Sequence, residues 1–314
     1  MRLLSMSGFV PEQICDVIRF TGYAGDRNIS HYCGYANDFI SQIINDDSID
    51  GAVFPKSCDS SRVINSYIDE VNKFSFQINV PARNDEIAID YFAKELEQYK
   101  ESVEQFFGIV INDIPERIKK VNERNKKIAH YYDSIENYSY SDYLSQIHSM
   151  LQSPLLDNQF DFDIRKFHNN GKRVFIVGSF LSNTGIVEQI ENNGFCVVGD
   201  NLPESGRISD STIENVDGDY YREIAKNILS RRISPTQGNF VSLINHDLDF
   251  INKKRVDAVI FITQKYCEPY DYLYSVYKKK LDENDIPSLK ITLNDSQDDR
   301  KVNLMLEAFA GTLL

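Results

Sequence analysis

The sequence predicts an α/β protein in which a helical segment joins two doubly wound, parallel-sheet lobes, and three observations lead to this prediction. Strand-like and helix-like runs alternate in residues 1–83. The alternation returns in residues 166–314, and it implies right-handed crossovers and a mostly parallel sheet in each lobe. Residues 84–165 are instead long, polar and helical in pattern. A chain of 314 residues is long enough for two such lobes.

The spacing of apolar side chains predicts the individual elements. In the first two regions they are a strand at Asp50–Phe54 and helices at Ser60–Val71, Ile87–Phe107, Glu116–Tyr132 and Tyr140–Leu151. In the C-terminal region they are strands at Val174–Val177, Phe195–Val198, Val256–Thr263 and Ser288–Leu293, and helices at Gly185–Asn193, Tyr272–Glu283 and Asp299–Phe309. This order is typical of Rossmann-like lobes.

Composition and charge exclude several classes of protein. The 47 acidic and 34 basic residues give a formal net charge of -13, which disfavours binding to nucleic acid or to an anionic membrane. No apolar run approaches the ~20 residues of a membrane-spanning helix, and residues 1–10 lack the features of a signal peptide. We therefore expect a cytoplasmic protein. Five cysteines without a secretory signal argue against a disulfide framework and favour thiolate chemistry.

An internal repeat brings two cysteines to equivalent positions. The strand-like run Ile49–Phe54 leads through a short loop to Cys58, and Val256–Phe261 leads through a loop two residues longer to Cys267. In open α/β sheets, ligands bind outside the carboxyl ends of the strands, where both loops emerge. We therefore expect each lobe to present one thiol to a shared cleft.

A third cysteine, Cys33, stands in a polar run before a helical stretch, so the three loop thiols either share a metal centre or are isolated loop cysteines. A cubane iron–sulfur cluster with only three cysteines leaves one iron with an exchangeable position. Zinc with three thiolates and a water is the competing interpretation, because the spacing does not separate the two. Cys15 and Cys196 lie in apolar runs and are expected to pack as small hydrophobic residues.

Four motifs follow one another along the chain: Phe9–Glu12 ahead of an expected helix, Tyr32–Tyr35 around Cys33, Asp50–Asp59 with Cys58, and Tyr266–Pro269 around Cys267. This order resembles the 2-hydroxyacyl-CoA dehydratase D-component family, which includes benzoyl-CoA reductase subunits. The resemblance continues through Asn122–Asn125 and Arg207 and covers nearly the whole chain.

The resemblance implies a [4Fe-4S] cluster held by Cys33, Cys58 and Cys267 in the cleft between the lobes. It also implies a dimer with a sister dehydratase subunit or with a second copy, and an ATP-dependent iron–sulfur activator protein that supplies single electrons. The electron passes to an acyl-CoA substrate, whose ketyl radical then loses water. The alternatives are a benzoyl-CoA reductase-like or other low-potential reductase subunit, and a non-catalytic structural partner of a longer sister subunit.

Three further residues are candidates for the catalytic chemistry. In the resemblance, a hydroxyl residue ahead of the Pro-Glu motif lies beside the iron that has no cysteine, and Ser7 matches it. Glu12 is expected either to move a proton or to complement a helix start. His31, two residues before Cys33, is a candidate proton donor. The sequence departs from the family at Thr292 and Met305, where the family has an acid and an arginine, and this favours either the less catalytic partner of a pair or a divergent member with another substrate.

Three weaker patterns complete the predictions. The turn Gly178–Gly185 follows a strand and opens a helix, so it is either a phosphate-binding turn or a plain strand-to-helix connection. The basic runs Arg231–Arg232 and Lys278–Lys280 are either phosphate contacts or solvated charges. The tyrosines of the helical segment, Tyr140 and Tyr143 among them, are expected in the core and at a subunit interface.

Overall fold

The computed structural model describes residues 1–6, 9–22, 32–156, 160–167, 170–181, 184–209, 211–215, 218–231, 234–237, 239–293 and 299–313. The strands are β1 (Leu3–Ser5), β2 (Val17–Arg19), β3 (Gly51–Pro55), β4 (Phe74–Ile78), β5 (Lys172–Gly178), β6 (Phe195–Asn201), β7 (Ala258–Gln264) and β8 (Ser288–Leu293). The α-helices are α1 (Gly34–Asn45), α2 (Asp59–Arg62), α3 (Ile64–Asp69), α4 (Glu86–Phe107), α5 (Ile114–Tyr132), α6 (Tyr140–Leu151), α7 (Gly185–Asn192), α8 (Tyr220–Ser230), α9 (Phe240–Lys254), α10 (Glu268–Glu283) and α11 (Asp299–Thr312).

The eight strands form two four-stranded sheets, and every pairing in them is parallel. The first sheet has the order β2-β1-β3-β4, and the second has the order β6-β5-β7-β8. Counted within each lobe, both orders are second, first, third, fourth, so the two lobes share one topology. The predicted α/β fold with two lobes is confirmed.

Helices cover both faces of each sheet because successive side chains of a strand point in opposite directions. In β3, Phe54 packs with the residues of α1 and α3, whereas Val53 packs with α4 and α8 on the other face. In β7, Ile260 packs with α6 and α7, whereas Phe261 packs with α9 and α10. The inner strands β3 and β7 are therefore buried on both faces, which explains their apolar runs.

Two predictions about the elements are corrected. The helix expected after Phe9–Glu12 is wrong, because residues 12–15 form turns and bends and the strand β2 follows. The helix predicted at Ser60–Val71 is two short helices, α2 and α3, which meet at Val63. The helix α6 and the strand β8 have the predicted bounds. Within the described ranges, no helix combines the length and the apolar character needed to cross a membrane.

The long helix α5 connects the two cores. Its N-terminal half places Ile118 in the core of the first lobe, and its C-terminal half places Ile128 in the core of the second. Tyr140 and Tyr143, on α6, are fully buried in the second core. The prediction that these two tyrosines lie in the core is therefore confirmed. Their burial keeps them out of a subunit interface.

Residues 211–215 and 218–230 follow the second-lobe strand β6 in the chain but lie against the first lobe. Ile213 and Ile224 pack in the first core, and α8 lies against α4. The side chain of Asn122, on α5, bonds to both backbone polar groups of Ile213, at 2.7 and 2.9 Å. The core of the first lobe is therefore completed by a segment that follows β6 in the chain.

A buried charge network joins the start of the chain to α5. Glu12 accepts hydrogen bonds from Arg124 at 2.5 and 2.7 Å and from Arg19 at 2.8 Å. All three side chains are at most 4% exposed. Burial opposes the charge of Glu12, but Arg124 and Arg19 outweigh it and lower the pKa of this carboxyl to about 2. Glu12 is thus a fixed carboxylate that offsets buried guanidinium groups.

The Glu12→Gln variant should lose about 3 kcal/mol of unfolding free energy at neutral pH, since a depressed pKa stabilises the fold above the unfolded value. The difference between wild type and variant should shrink as pH falls from 4.5 towards 2, where the wild-type carboxyl becomes protonated. Urea unfolding followed by circular dichroism measures it. Asp161→Asn, at a carboxylate that is 86% exposed, is the matched control and should change little. A constant difference across this pH range would contradict the assignment.

Candidate functional site

Three cysteines occupy the N-cap positions of three helices. Cys33 precedes α1, Cys58 precedes α2, and Cys267 precedes α10. Cys58 and Cys267 follow β3 and β7, which are the third strands of the two sheets. The predicted internal repeat therefore corresponds to equivalent positions in two lobes of the same topology.

The structure brings these three thiols to one place, because all of them line the same two cavities. The first, which we call the arginine cavity, has a volume of about 120 Å³ and is also lined by Phe180 and Arg207. The second, the lysine cavity, has a volume of about 690 Å³. Its lining also includes Tyr32, Asp59, Lys265, Asp271, Lys290 and Thr292. The cysteines thus stand between two cavities of different chemistry.

The pKa shifts of Cys33 and Cys267 show that the thiols are close enough to interact electrostatically. Burial raises the pKa of Cys33 to about 11, and the charge of Cys58 adds to the rise. The backbone N–H of Ala36, in the first turn of α1, lowers the pKa but does not outweigh burial. Burial also raises the pKa of Cys267, and the charges of Cys33 and Cys58 act in the same direction. The raised pKa values keep Cys33 and Cys267 protonated at neutral pH when no cation is near, whereas a bound metal ion would deprotonate them.

Aromatic side chains close the arginine cavity between the lobes. Phe180, from the loop after β5, packs against Tyr35 of α1 with ring centroids 4.7 Å apart. The ring of His148 also stacks on Phe180, at a centroid distance of 5.4 Å. Met6 and Ile228 add further apolar lining. Such a lining excludes water and strengthens any electrostatic contact made inside it.

Two polar residues of this cavity follow strands of the second sheet. Arg207 comes after β6, and Ser179 comes directly after β5. Arg207 donates from Nε to Asn201 Oδ1 at 2.6 Å and from Nη2 to the Tyr270 hydroxyl at 2.9 Å. In the sequence, Arg207 stands out only through the family resemblance, and Ser179 only as part of the turn Gly178–Gly185. The signal that was missed is their position at the carboxyl ends of neighbouring parallel strands.

The other predicted site residues have different outcomes. Ser7 and His31 lie outside the described residues. Glu12 belongs to the buried charge network and does not line either cavity. A carboxyl with a pKa of about 2 stays ionised at neutral pH, so its position favours a stabilising function over proton transfer. The alternative prediction, that Glu12 complements the start of a helix, is wrong, because turns and not a helix follow Glu12.

The remaining cysteines and basic runs lie apart from the thiols. Cys15 is buried in the first core, where burial raises its pKa to about 12, and Cys196 lies in β6 with a pKa also raised by burial. Lys278 and Lys280 pair with acidic residues on the exposed side of α10. Arg231 does line the arginine cavity, so part of one basic run belongs to the site.

Comparison with known proteins places this arrangement in a family. The chain is 22% identical to the (R)-phenyllactyl-CoA dehydratase beta subunit of Clostridium sporogenes over 289 residues, which cover 85% of this chain and 76% of that protein. A structure of a periplasmic metal-binding protein from Candidatus Liberibacter asiaticus aligns over 100% of this chain and 99% of its own at 13% identity, with a TM-score of 0.24. The Mn-bound structure of that protein aligns over 100% of both chains at 12% identity, with a TM-score of 0.23. These scores are too low to indicate a shared fold.

The decisive match is to a family model, and it covers residues 2–313, so that both sheets, the three cysteines and both cavities fall inside it. The chain belongs to the family described as 2-hydroxyglutaryl-CoA dehydratase, D-component.

Proposed function

We propose that this chain is the [4Fe-4S] subunit of a 2-hydroxyacyl-CoA dehydratase, with Cys33, Cys58 and Cys267 as the cluster ligands. The observation that carries the proposal is the meeting of three thiols, from both lobes, at two shared cavities. Membership of the family supports the dehydratase activity at the level of the class. The relative named as a dehydratase beta subunit supports an assembly of more than one kind of chain.

The residues fit a metal centre held by three thiolates. Cys33, Cys58 and Cys267 line the same two cavities, so one group placed there could contact all three sulfurs. In a cubane cluster the three cysteines would each bind a different iron, which leaves the fourth iron with an exchangeable position. Tetrahedral zinc with three thiolates and a water is the competing centre, and metal analysis of the purified protein separates the two.

The helix N-termini contribute the surroundings that an anionic thiolate set needs. The helices α1 and α10 direct the positive ends of their dipoles towards Cys33 and Cys267. Backbone N–H groups in the first turns, at Ala36 and Tyr270, favour the charged form of these sulfurs. These backbone groups would thus stabilise the thiolate form of Cys33 and Cys267 when a metal centre is bound.

A cluster held by Cys33, Cys58 and Cys267 would supply single-electron and Lewis-acid chemistry at this site. The chain itself holds the acyl group among apolar side chains and excludes water through the packing of Phe180 on Tyr35. An activator that hydrolyses ATP would deliver the electrons, and a sister subunit or a second copy would complete the enzyme. The acyl-CoA substrate would approach from one of the two cavities.

One observation favours the second candidate function, a non-catalytic partner of a longer sister subunit. Thr292, which replaces the family's acid, lines the lysine cavity beside the cysteines. A threonine there cannot act as a general acid or base near neutral pH. In this alternative the cysteines still hold a cluster, and the sister subunit carries the reaction.

Cluster occupancy is the first test of the proposal. Protein prepared without oxygen should be brown and carry about four irons per chain. Changing Cys33, Cys58 or Cys267 to Ala should remove most of the iron and the visible absorbance, because each variant deletes one ligand. Cys15→Ala and Cys196→Ala are matched controls and should retain both. Equal iron loss from all five variants, or stoichiometric zinc without iron, would overturn the assignment.

Assembly is the second test. Under anaerobic conditions, multi-angle light scattering should show at least a dimer, either of this chain alone or after addition of a sister subunit of the family. Electron supply by an activator and ATP should then give turnover of an acyl-CoA only in the assembled form. A protein that stays monomeric and binds no sister chain would contradict this part of the proposal, whatever its iron content.

A further inference from the structure

Arg207 is a buried cation with no carboxylate beside it. The residue is 8% exposed, and within the described ranges its guanidinium forms no ion pair with an acidic side chain. The other buried arginines differ from it, because Arg19 and Arg124 share the carboxylate of Glu12. A buried guanidinium without a counter-charge is costly unless an anion lies near it.

A chain of buried hydrogen bonds fixes the orientation of this guanidinium. Arg207 donates from Nε to Asn201 Oδ1 at 2.6 Å and from Nη2 to the Tyr270 hydroxyl at 2.9 Å. Asn201 in turn donates from Nδ2 to Asp247 at 2.7 Å, and the Tyr277 hydroxyl donates to the same carboxylate at 3.1 Å. Asn201 thus separates Asp247 from the cation. The acceptors that contact Arg207 directly are neutral groups, which position the charge without cancelling it.

The remaining edge of the guanidinium borders the site of the cysteines. Nη1 has no hydrogen-bond partner among the described residues, and it is not one of the atoms there that are both unpaired and inaccessible. Arg207 lines the arginine cavity, and so do Cys33, Cys58 and Cys267. A negative charge on the three sulfurs would therefore lie across the same small cavity from the unpaired cation.

Tyr270 gives a second, independent observation, because it contacts both the cation and a cysteine. It lies in the first turn of α10, and its backbone N–H bonds to the sulfur of Cys267, the N-cap residue of that helix. Its hydroxyl accepts from Arg207. A tyrosine hydroxyl is uncharged near neutral pH. One neutral residue therefore connects Arg207 to Cys267.

The surroundings of the cavity make an interaction between charges strong. Phe180, Tyr35 and Met6 line it with apolar surface, and charges interact more strongly where water is excluded. Each thiolate adds a negative charge to a bound cluster, and reduction by one electron adds a further one. The reduction potential of an iron–sulfur cluster depends on net charge, hydrogen bonds to sulfur and exposure to solvent. A fixed cation in the same cavity therefore favours the reduced state.

We propose that Arg207 is the fixed counter-charge of the metal centre, held in place by Asn201 and Tyr270, and that it raises the reduction potential of the cluster. Arg207 acts through the cluster and is a positioning residue. The electron of this step comes from the ATP-dependent activator, and no covalent bond of the chain forms or breaks. This inference rests on the proposed function, because it needs a cluster at Cys33, Cys58 and Cys267.

The midpoint potential of the anaerobically prepared protein tests the inference directly. Reductive titration with titanium(III) citrate, followed by electron paramagnetic resonance of the reduced cluster, measures it. Arg207→Gln and Arg207→Met both remove the charge, and only the first keeps a polar side chain. Both should lower the equilibrium constant for one-electron reduction at least tenfold, which corresponds to a midpoint potential lower by about 59 mV.

Two further variants separate charge from structure. Arg207→Lys keeps the positive charge but loses the planar fork, so its midpoint potential should stay closer to that of wild type than to that of the neutral variants. Arg165→Gln, at a side chain that is 66% exposed, removes a charge that water screens, and it should leave the potential unchanged. The iron content and thermal unfolding of each variant show whether cluster and fold are intact.

The outcomes distinguish this inference from the proposed function. Neutral variants with full iron content and the potential of wild type would overturn the counter-charge and leave the dehydratase proposal standing. An equal fall in Arg207→Lys would assign the effect to hydrogen-bond geometry and would refute the inference as well. Loss of iron from both neutral variants would also refute it, because the charge would then serve to retain the cluster. A wild type without a cluster would overturn the proposed function and this inference together.

Discussion

The structure depends on one constraint, which is that all strands of each sheet run in the same direction. Parallel pairing sends every strand-to-helix connection out at the same edge of the sheet. Cys58 and Cys267 follow the third strands of the two sheets, and Ser179 and Arg207 follow the first and second strands of the second sheet. Because the two lobes share one strand order, these four side chains reach one cavity without any long loop to carry them.

The parts of the fold that depend on local signals were accessible from the sequence. The helical spacing of apolar residues in α6 and the alternating apolar residues of β8 predicted the bounds of both elements, and the repeated pattern of strand, loop and cysteine predicted the equivalence of Cys58 and Cys267. These features are encoded within about ten to fifteen neighbouring residues, where helical or strand spacing decides the structure. Cys33 needed the family resemblance as well, since its own surroundings indicate only a loop before a helix.

The parts that were missed depend on contacts between distant residues. Nothing near Glu12 indicates that Arg124, 112 residues further along, will hold its carboxylate. The same holds for the asparagines of α5. Asn122 bonds to the backbone of Ile213, and Asn125 bonds to the backbone of Ser211 at 2.6 Å. The motif Asn122–Asn125, which stood out in the sequence only through the family resemblance, therefore binds a segment that lies far along the chain.

The crossing of residues 211–215 and 218–230 also affects the order in which the molecule can be built. The first lobe contains β1 to β4, yet its core includes α8, which is synthesised only after β5 and β6. During translation, the part of the apolar face of α4 that contacts α8 therefore lacks this partner until more than a hundred further residues have been made. A fragment that ends before α8 would expose this apolar surface to water.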